Sequence, residues 1–298
     1  GFFMSYEKKV QELLQKMGIA PAPSKSNSLE QFYQVRNSNP RKGKKIFTYT
    51  YNESPYQEEG VILIPITDVH LGSKQANIPY FQRFIDYILE TPNALTILNG
   101  DLAETATKVS VGKAMFEEDA HLPQQLDILT EMLSPLAEAG KILGIGPGNH
   151  EERVANMIGI NPMQIFAKRL GVPYFGYQGF FRIIVNGIPY HVALHHGTGG
   201  GATSGSKTNS SEKMNKVVAN ADLYISGHTH ARQFHQDIIY LMDENEEALV
   251  PHIRTYVVGG SYVEYWGGYP EMKALPPSIT GLIRCELRPD QKDIRVIV

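Results

Sequence analysis

Five short apolar runs in this chain each end on a group that can ligate a cation. Val61-Ile62-Leu63-Ile64-Pro65-Ile66-Thr67 leads into Asp68-Val69-His70, and Ala94-Leu95-Thr96-Ile97-Leu98-Asn99 leads into Gly100-Asp101. Lys141-Ile142-Leu143-Gly144-Ile145 runs through Gly146-Pro147 into Gly148-Asn149-His150-Glu151. Tyr190-His191-Val192-Ala193-Leu194 runs into His195-His196-Gly197, and Ala221-Asp222-Leu223-Tyr224-Ile225 into Ser226-Gly227-His228-Thr229-His230. Runs of this length and composition read as buried strands. In open α/β sheets, ligands bind beyond the carboxyl ends of the strands, so these groups can converge on one sheet edge. Residues i and i+2 of a strand share a side, which makes His228 and His230 a same-side pair. Carboxylate, imidazole and amide oxygen together suit Mn²⁺, Fe or Zn²⁺ better than metals that prefer thiolate.

The series Asp68-x-His70, Gly100-Asp101, Gly148-Asn149-His150-Glu151, His196-Gly197 and Gly227-His228-Thr229-His230 resembles the calcineurin-like metallophosphoesterases. That superfamily includes purple acid phosphatases, protein Ser/Thr phosphatases, cyclic-nucleotide phosphodiesterases and DNA-repair nucleases. All five blocks stand in the family's order. The resemblance implies an α/β fold, a four-layer α/β/β/α sandwich of two mixed sheets (the metallo-dependent phosphatase fold). It implies two divalent ions, Mn²⁺ foremost, with Fe, Zn²⁺ or Ni²⁺ as alternatives. Asp68, His70 and His230 would hold the first, Asn149, His196 and His228 the second, and Asp101 would bridge them. A hydroxide between the ions would then attack phosphorus in line.

By the same resemblance, His150 is the family's non-ligand histidine, which would protonate the leaving alkoxide or stabilise the equatorial oxygens. Glu104 stands where the phosphatase branch places the carboxylate that orients this histidine and raises its pKa. Glu151 competes for that role and reads as a neighbour that points away. His195 and His196 both fit one ligand position; His196 is favoured because it directly precedes glycine. One departure bears on substrate. Gly100-Asp101-Leu102-Ala103-Glu104 lacks the phosphate-clamping Arg of protein phosphatases, which favours a phosphodiester over a phosphoprotein.

Softer signals surround these blocks. Gly197 to Asn209 reads as a flexible loop over the active site, with Lys207 on substrate phosphate. Arg153 is a second phosphate contact, and Trp266, within Tyr262 to Tyr269, a base-stacking surface. Each also has a plainer reading, as a solvated or packed side chain. Gly197-Thr198-Gly199-Gly200-Gly201-Ala202 spells a dinucleotide fingerprint, but no helix signal follows it. Gly205-Ser206-Lys207-Thr208 is a broken P-loop. His121, His191, His235 and His252 match no block and read as structural or surface residues.

The remaining chain reads as an N-terminal extension over 1–58 and an enzyme domain over 59–298. The extension holds an amphipathic helix (Ser5 to Met17), a linker (Pro21 to Asn39), a basic run (Arg41 to Lys45) and a strand (Ile46 to Asn52). Pro79–Glu90, Pro123–Ala139 and Pro162–Leu170 carry helical periodicity. Asn186-Gly187 marks a hairpin, and the tail is β-rich with a turn at Asp243-Glu244-Asn245. A formal net charge of −3 speaks against tight binding to long duplex DNA. The single cysteine, Cys285, cannot form an internal disulfide and suits a reducing compartment; its alternating neighbours make it a strand residue. No apolar run approaches a membrane span, and no signal peptide is expected. The expectation is a cytoplasmic hydrolase of a nucleotide or single-stranded nucleic-acid phosphodiester. A phosphomonoesterase and a repair-type nuclease are the alternatives within the class, and a non-catalytic scaffold the alternative outside it.

Overall fold

The computed structural model describes residues 44–105, 121–199, 203–242, 245, 247–272, 274 and 277–298. The expected helix Ser5–Met17, the linker, the first three residues of the basic run, most of the segment after Asp101 and the Asp243-Glu244 turn lie outside them. One compact unit spans Ile46–Val298.

Its strands are β1 (Phe47–Tyr51), β2 (Val61–Ile66), β3 (Ala94–Asn99), β4 (Ile142–Gly146), β5 (Gln178–Val185), β6 (Ile188–His195), β7 (Leu223–Ser226), β8 (Arg232–Met242), β9 (Leu249–Gly259), β10 (Arg284–Leu287) and β11 (Ile294–Ile297). The longer helices are α1 (Ile78–Glu90), α2 (Leu122–Glu138), α3 (Asn149–Ile158), α4 (Pro162–Leu170) and α5 (Ser204–Lys213). The strands form two sheets, ordered β11-β10-β2-β3-β4 and β1-β5-β6-β7-β9-β8. Both are mixed: β2, β3 and β4 run parallel while β10 is antiparallel to β2. In the larger sheet, β6, β7 and β9 run parallel, and β5 and β8 are antiparallel to their neighbours β6 and β9.

Side chains alternate across a strand, so each strand feeds two cores. Ile64, Ile66, Leu98 and Ile145 face the helices, meeting Phe81, Ile85 and Ile88 of α1 and Leu129, Leu133 and Leu136 of α2. Leu63, Leu95, Ile97 and Leu143 face the other way, against Phe181, Ile183, Leu194, Ile225 and Val257 of the second sheet. Beyond that sheet, Ala193, Tyr224 and Tyr256 pack with Met214, and α5 lies on β7 and β9. The layers are therefore helix, sheet, sheet, helix, as the resemblance implied. Local signals set the helix starts. Asn77 accepts the Tyr80 N–H and Asn161 the Met163 N–H, each with proline in the first turn.

Two expectations are corrected. The strand assigned to the N-terminal extension is β1, which pairs parallel with β5 from Phe47↔Phe181 to Tyr51↔Val185. A boundary at residue 58 would cut the larger sheet, and the compact unit begins at Ile46. The loop expected through Asn209 turns helical at Ser204, because Thr203 caps α5 by accepting the Ser206 N–H at 3.3 Å.

Candidate metal centre

The loops leaving β2 and β3 run side by side beyond the sheet. Asp68 N–H donates to Gly100 O, His70 N–H to Asp101 O and Leu71 N–H to Leu102 O, at 2.9–3.1 Å. This pairing sets Asp68 and His70 beside Asp101 and Glu104. Asp68, His70, Asp101, His228 and His230 all adopt left-handed backbone, with φ between 51° and 66°. Asp and His tolerate this region better than most residues, yet it costs on the order of 1–3 kcal/mol each. Two glycines permit the crossing. A Cβ on Gly148 would collide with Asp101 Oδ1, and one on Gly227 with Thr67 Oγ1.

All seven side chains expected to ligate metal come together. His70 Nε2 lies 3.2 Å from His230 Nε2 and 3.7 Å from Asp68 Oδ1. His230 Nε2 is 3.4 Å from Asp68 Oδ1. On the other side, His228 Nδ1 is 2.7 Å from Asn149 Oδ1, and His196 Nε2 is 3.0 Å from Asp101 Oδ2. That same Asp101 oxygen is 3.8 Å from His70 Nε2, so one carboxylate stands between two groups of donors. Asp68, His70 and His230 can hold a cation, as can Asp101, His196 and His228.

The donor set fits cations on independent grounds. His196 Nδ1–H donates to Asn99 O at 2.7 Å, which turns Nε2 toward Asp101. That Nε2 is buried and, although 3.0 Å from Asp101 Oδ2, makes no hydrogen bond of good geometry. Burial opposes a charge on His196, but Asp101 and Asp68 pull its pKa up to about 10. Burial likewise opposes ionisation of Asp68 and Asp101, yet the surrounding histidines hold both carboxyls well below their usual range. Two buried carboxylates facing ring nitrogens call for positive charge between them.

His195 and His196 lie as expected, whereas Glu104, His150 and Glu151 do not. His195 is half-buried on the far side of β6, where its Nδ1 accepts the Gly197 N–H at 2.9 Å; His196 is the one that reaches the cluster. The Glu104 carboxylate sits 2.8 Å from His70 Nδ1 and 3.6 Å from His150 Nδ1. It therefore orients His70 first, and His150 donates Nδ1–H to the Glu104 backbone oxygen at 2.7 Å. The His150 pKa is lowered rather than raised, because burial outweighs the attraction of Asp101 and Glu104. Glu151 does not point away. It is fully buried and accepts from the backbone N–H groups of Gly148, Asp101, Leu102 and Ala103 at 2.8–3.1 Å.

The substrate-binding candidates are more dispersed. Arg153, on α3, is close enough to His150 to push its pKa down. Lys207, on α5, donates Nζ–H to Ser278 Oγ at 3.3 Å, and its carbonyl accepts from Thr229 Oγ1, between two of the histidines. Trp266 is 74 % exposed and meets Tyr265 edge-to-face.

The sequence profile of the calcineurin-like phosphoesterase family matches residues 63–232, more than half of the chain and every one of these donors. No curated protein matches significantly. Among solved structures, Vps29 of Chaetomium thermophilum is similar at 11 % identity and a TM-score of 0.35, over 79 % of this chain and 95 % of that one.

Proposed function

Because this chain belongs to the calcineurin-like phosphoesterase family, we propose that it hydrolyses a phosphodiester with two divalent metal ions, Mn²⁺ foremost. The observation that carries the reading is the placement of Asp101, whose Oδ2 lies 3.0 Å from His196 and 3.8 Å from His70. A single anion between two donor groups offsets the repulsion of paired cations. Asp68, His70 and His230 would hold one ion, and Asn149, His196 and His228 the other. Bound there, such ions supply an acidified water and neutralise charge on the phosphoryl oxygens.

The chain's own residues do the rest. Glu104 fixes the His70 ring, and Asn99 O fixes the His196 ring, so that each offers Nε2 to the centre. His150 Nδ1–H is committed to Glu104 O, which leaves Nε2 to carry a proton to the departing alkoxide. Arg153, beside His150, would contact a phosphoryl oxygen. Directly after Asp101, Leu102 and Ala103 are fully buried, and no arginine stands at either position. That supports a diester, which carries less charge than a monoester. A nucleotide or single-stranded nucleic acid is the proposed class, with Trp266 as a stacking surface and Lys207 on a flanking phosphate. The lone, buried Cys285 suits a cytoplasmic setting; among the described residues no helix is long and apolar enough to cross a membrane.

The test is a substrate panel run with Mn²⁺ after exhaustive chelation. Chelation is expected to abolish hydrolysis and Mn²⁺ to restore it. The bis-p-nitrophenyl ester is expected to show higher kcat/KM than p-nitrophenyl phosphate. Preference for the monoester would move the protein to the phosphatase class, and steeply salt-sensitive duplex cleavage to the repair-nuclease class. Full activity with no metal by elemental analysis would end the two-metal reading.

A further inference from the structure

The antiparallel ribbon of β8 and β9 pairs without a break from Arg232↔Gly259 to Met242↔Leu249. Its even-numbered β8 residues and odd-numbered β9 residues share one face. At the base, that face belongs to the inter-sheet core: Phe234 stands opposite Val257, which is fully buried there. Gln236 Nε2 reaches Ile294 O of β11 at 3.5 Å, a contact with the opposing sheet along this face. Beyond it the same face continues as Ile238↔Ile253, Tyr240↔Pro251 and Met242↔Leu249. These are side chains of core type, and Ile238, Tyr240, Met242, Leu249 and Ile253 are between 52 % and 88 % exposed.

We propose that this distal face is a self-association surface, on which a second copy of the chain packs its identical face about a two-fold axis. Three observations select that occupant. The first is size. The six side chains offer on the order of 400 Å² of apolar surface, within the range of patches that mark contact sites. A standard interface takes about 800 Å² from each partner, a little over half of it apolar, so the patch matches one such interface. The second is charge. No charged side chain lies on the distal stretch of this face, from Ile238 to Met242 and from Leu249 to Ile253, and Asp237 and Arg254 pair at 2.6–2.8 Å on the opposite side of the ribbon. A copy of the same face therefore meets it with no charge left unpaired. By sequence, the segment joining β8 to β9 holds Asp243, Glu244, Glu246 and Glu247, which disfavours an anionic lipid surface as the occupant. The third is access: β8 is the last strand of its sheet, and from Ile238 to Met242 it carries no lysine or proline, so nothing on this stretch turns a second copy away from the face. The two-fold contact is isologous, so it closes on itself and does not propagate.

Sedimentation of the full chain, from micromolar to hundreds of micromolar, tests this. The wild type is expected to be a dimer. Tyr240→Lys is expected to weaken association on the order of 30-fold in Kd, as for a central aromatic contact. Leu241→Lys, on the opposite face of the same strand, is expected to leave it unchanged. If Tyr240→Lys loses its native circular dichroism, Met242→Lys, the most exposed of the six, takes its place. A wild type that stays monomeric throughout the range overturns the proposal. So does a Leu241→Lys chain that dissociates as readily as the face variant, which would mean that the partner does not read the apolar face.

Discussion

The carboxylate of Glu151 accepts the backbone N–H of Asp101 at 2.9 Å, so the helix that follows Asn149 holds the backbone of the proposed bridging residue. The same carboxylate takes the N–H groups of Leu102, Ala103 and Gly148. Four donors from two different loops thus meet on one side chain at the first turn of α3. Asp101 replies through its own carboxylate, where Oδ1 accepts the His150 N–H at 2.8 Å.

Glu151→Ala is expected to leave these buried donors without an acceptor, at about 1–3 kcal/mol for each one that finds no substitute. The Asp101 loop should then lose its left-handed set. Metal content by elemental analysis and hydrolysis are expected to fall together. Glu151→Gln keeps one acceptor oxygen and is expected to recover part of both. A variant with both metals and full activity would show that the loop holds itself.

Glu104 and His150 should separate cleanly. Glu104→Gln disturbs the partner of His70 Nδ1 and is expected to weaken metal binding about 10–100-fold, the usual consequence of removing a carboxylate behind a ligand histidine. His150→Ala is expected to keep both metals and to lose roughly 10²–10⁴ in rate, less for substrates with good leaving groups. Metal titration alongside kcat distinguishes the two. Loss of metal in the His150 variant would make that residue a ligand.

Asp222 gives a pH dependence remote from the metal cluster. Burial penalises its charge, but the His191 side chain and N–H, together with the Lys292 ammonium at 3.1 Å, hold its pKa below the usual 3.8. The folded state therefore favours the ionised form. The stabilisation is complete above about pH 3.8 and is lost as the pH falls through the lowered value. Asp222→Asn is expected to cost about 1–2 kcal/mol at neutral pH, since Lys292 stays partly solvated. Urea unfolding at a series of pH values should show the gap between variant and wild type closing in acid.

Cys285 is fully buried between the sheets, and burial pushes its thiol up to about 12. A thiol-specific reagent is expected to leave it unmodified in the native protein and to react fully in denaturant. Rapid labelling of the native chain would mean that the two sheets part more often than their packing allows.

The donor blocks were legible in sequence because each follows a strand that is apolar on both faces, and strand ends are sharp in such a pattern. His196 could be preferred over His195 only from the glycine that follows, and burial of the ring agrees. The helix α5 was not legible. Its sequence, Ser204-Gly205-Ser206-Lys207-Thr208-Asn209-Ser210-Ser211-Glu212-Lys213, has no apolar stripe and weak helix formers. It stands on hydroxyls that bond backbone oxygens, Ser211 to Thr208 and Ser210 to Thr198. The only forward signal was Thr203 as a cap. The place of β1 depends on a parallel pairing more than a hundred residues away, which no local pattern encodes. Glu151 had a signal that went unread: a glutamate three residues into a helix that opens on glycine sits where the helix's first N–H groups need an acceptor.

The metal-type donors come from two sheets. β2, β3 and β4 deliver Asp68, His70, Asp101 and Asn149, while β6 and β7 deliver His196, His228 and His230. The 3.0 Å approach of Asp101 to His196 joins the two sets, and only the inter-sheet core keeps them in register. Each half of the centre is thus useless alone, however intact its own strands. As the chain is warmed, the proposed hydrolysis and metal retention are expected to vanish together when the sheets first slip, while the far-ultraviolet signal of helices and strands still looks native.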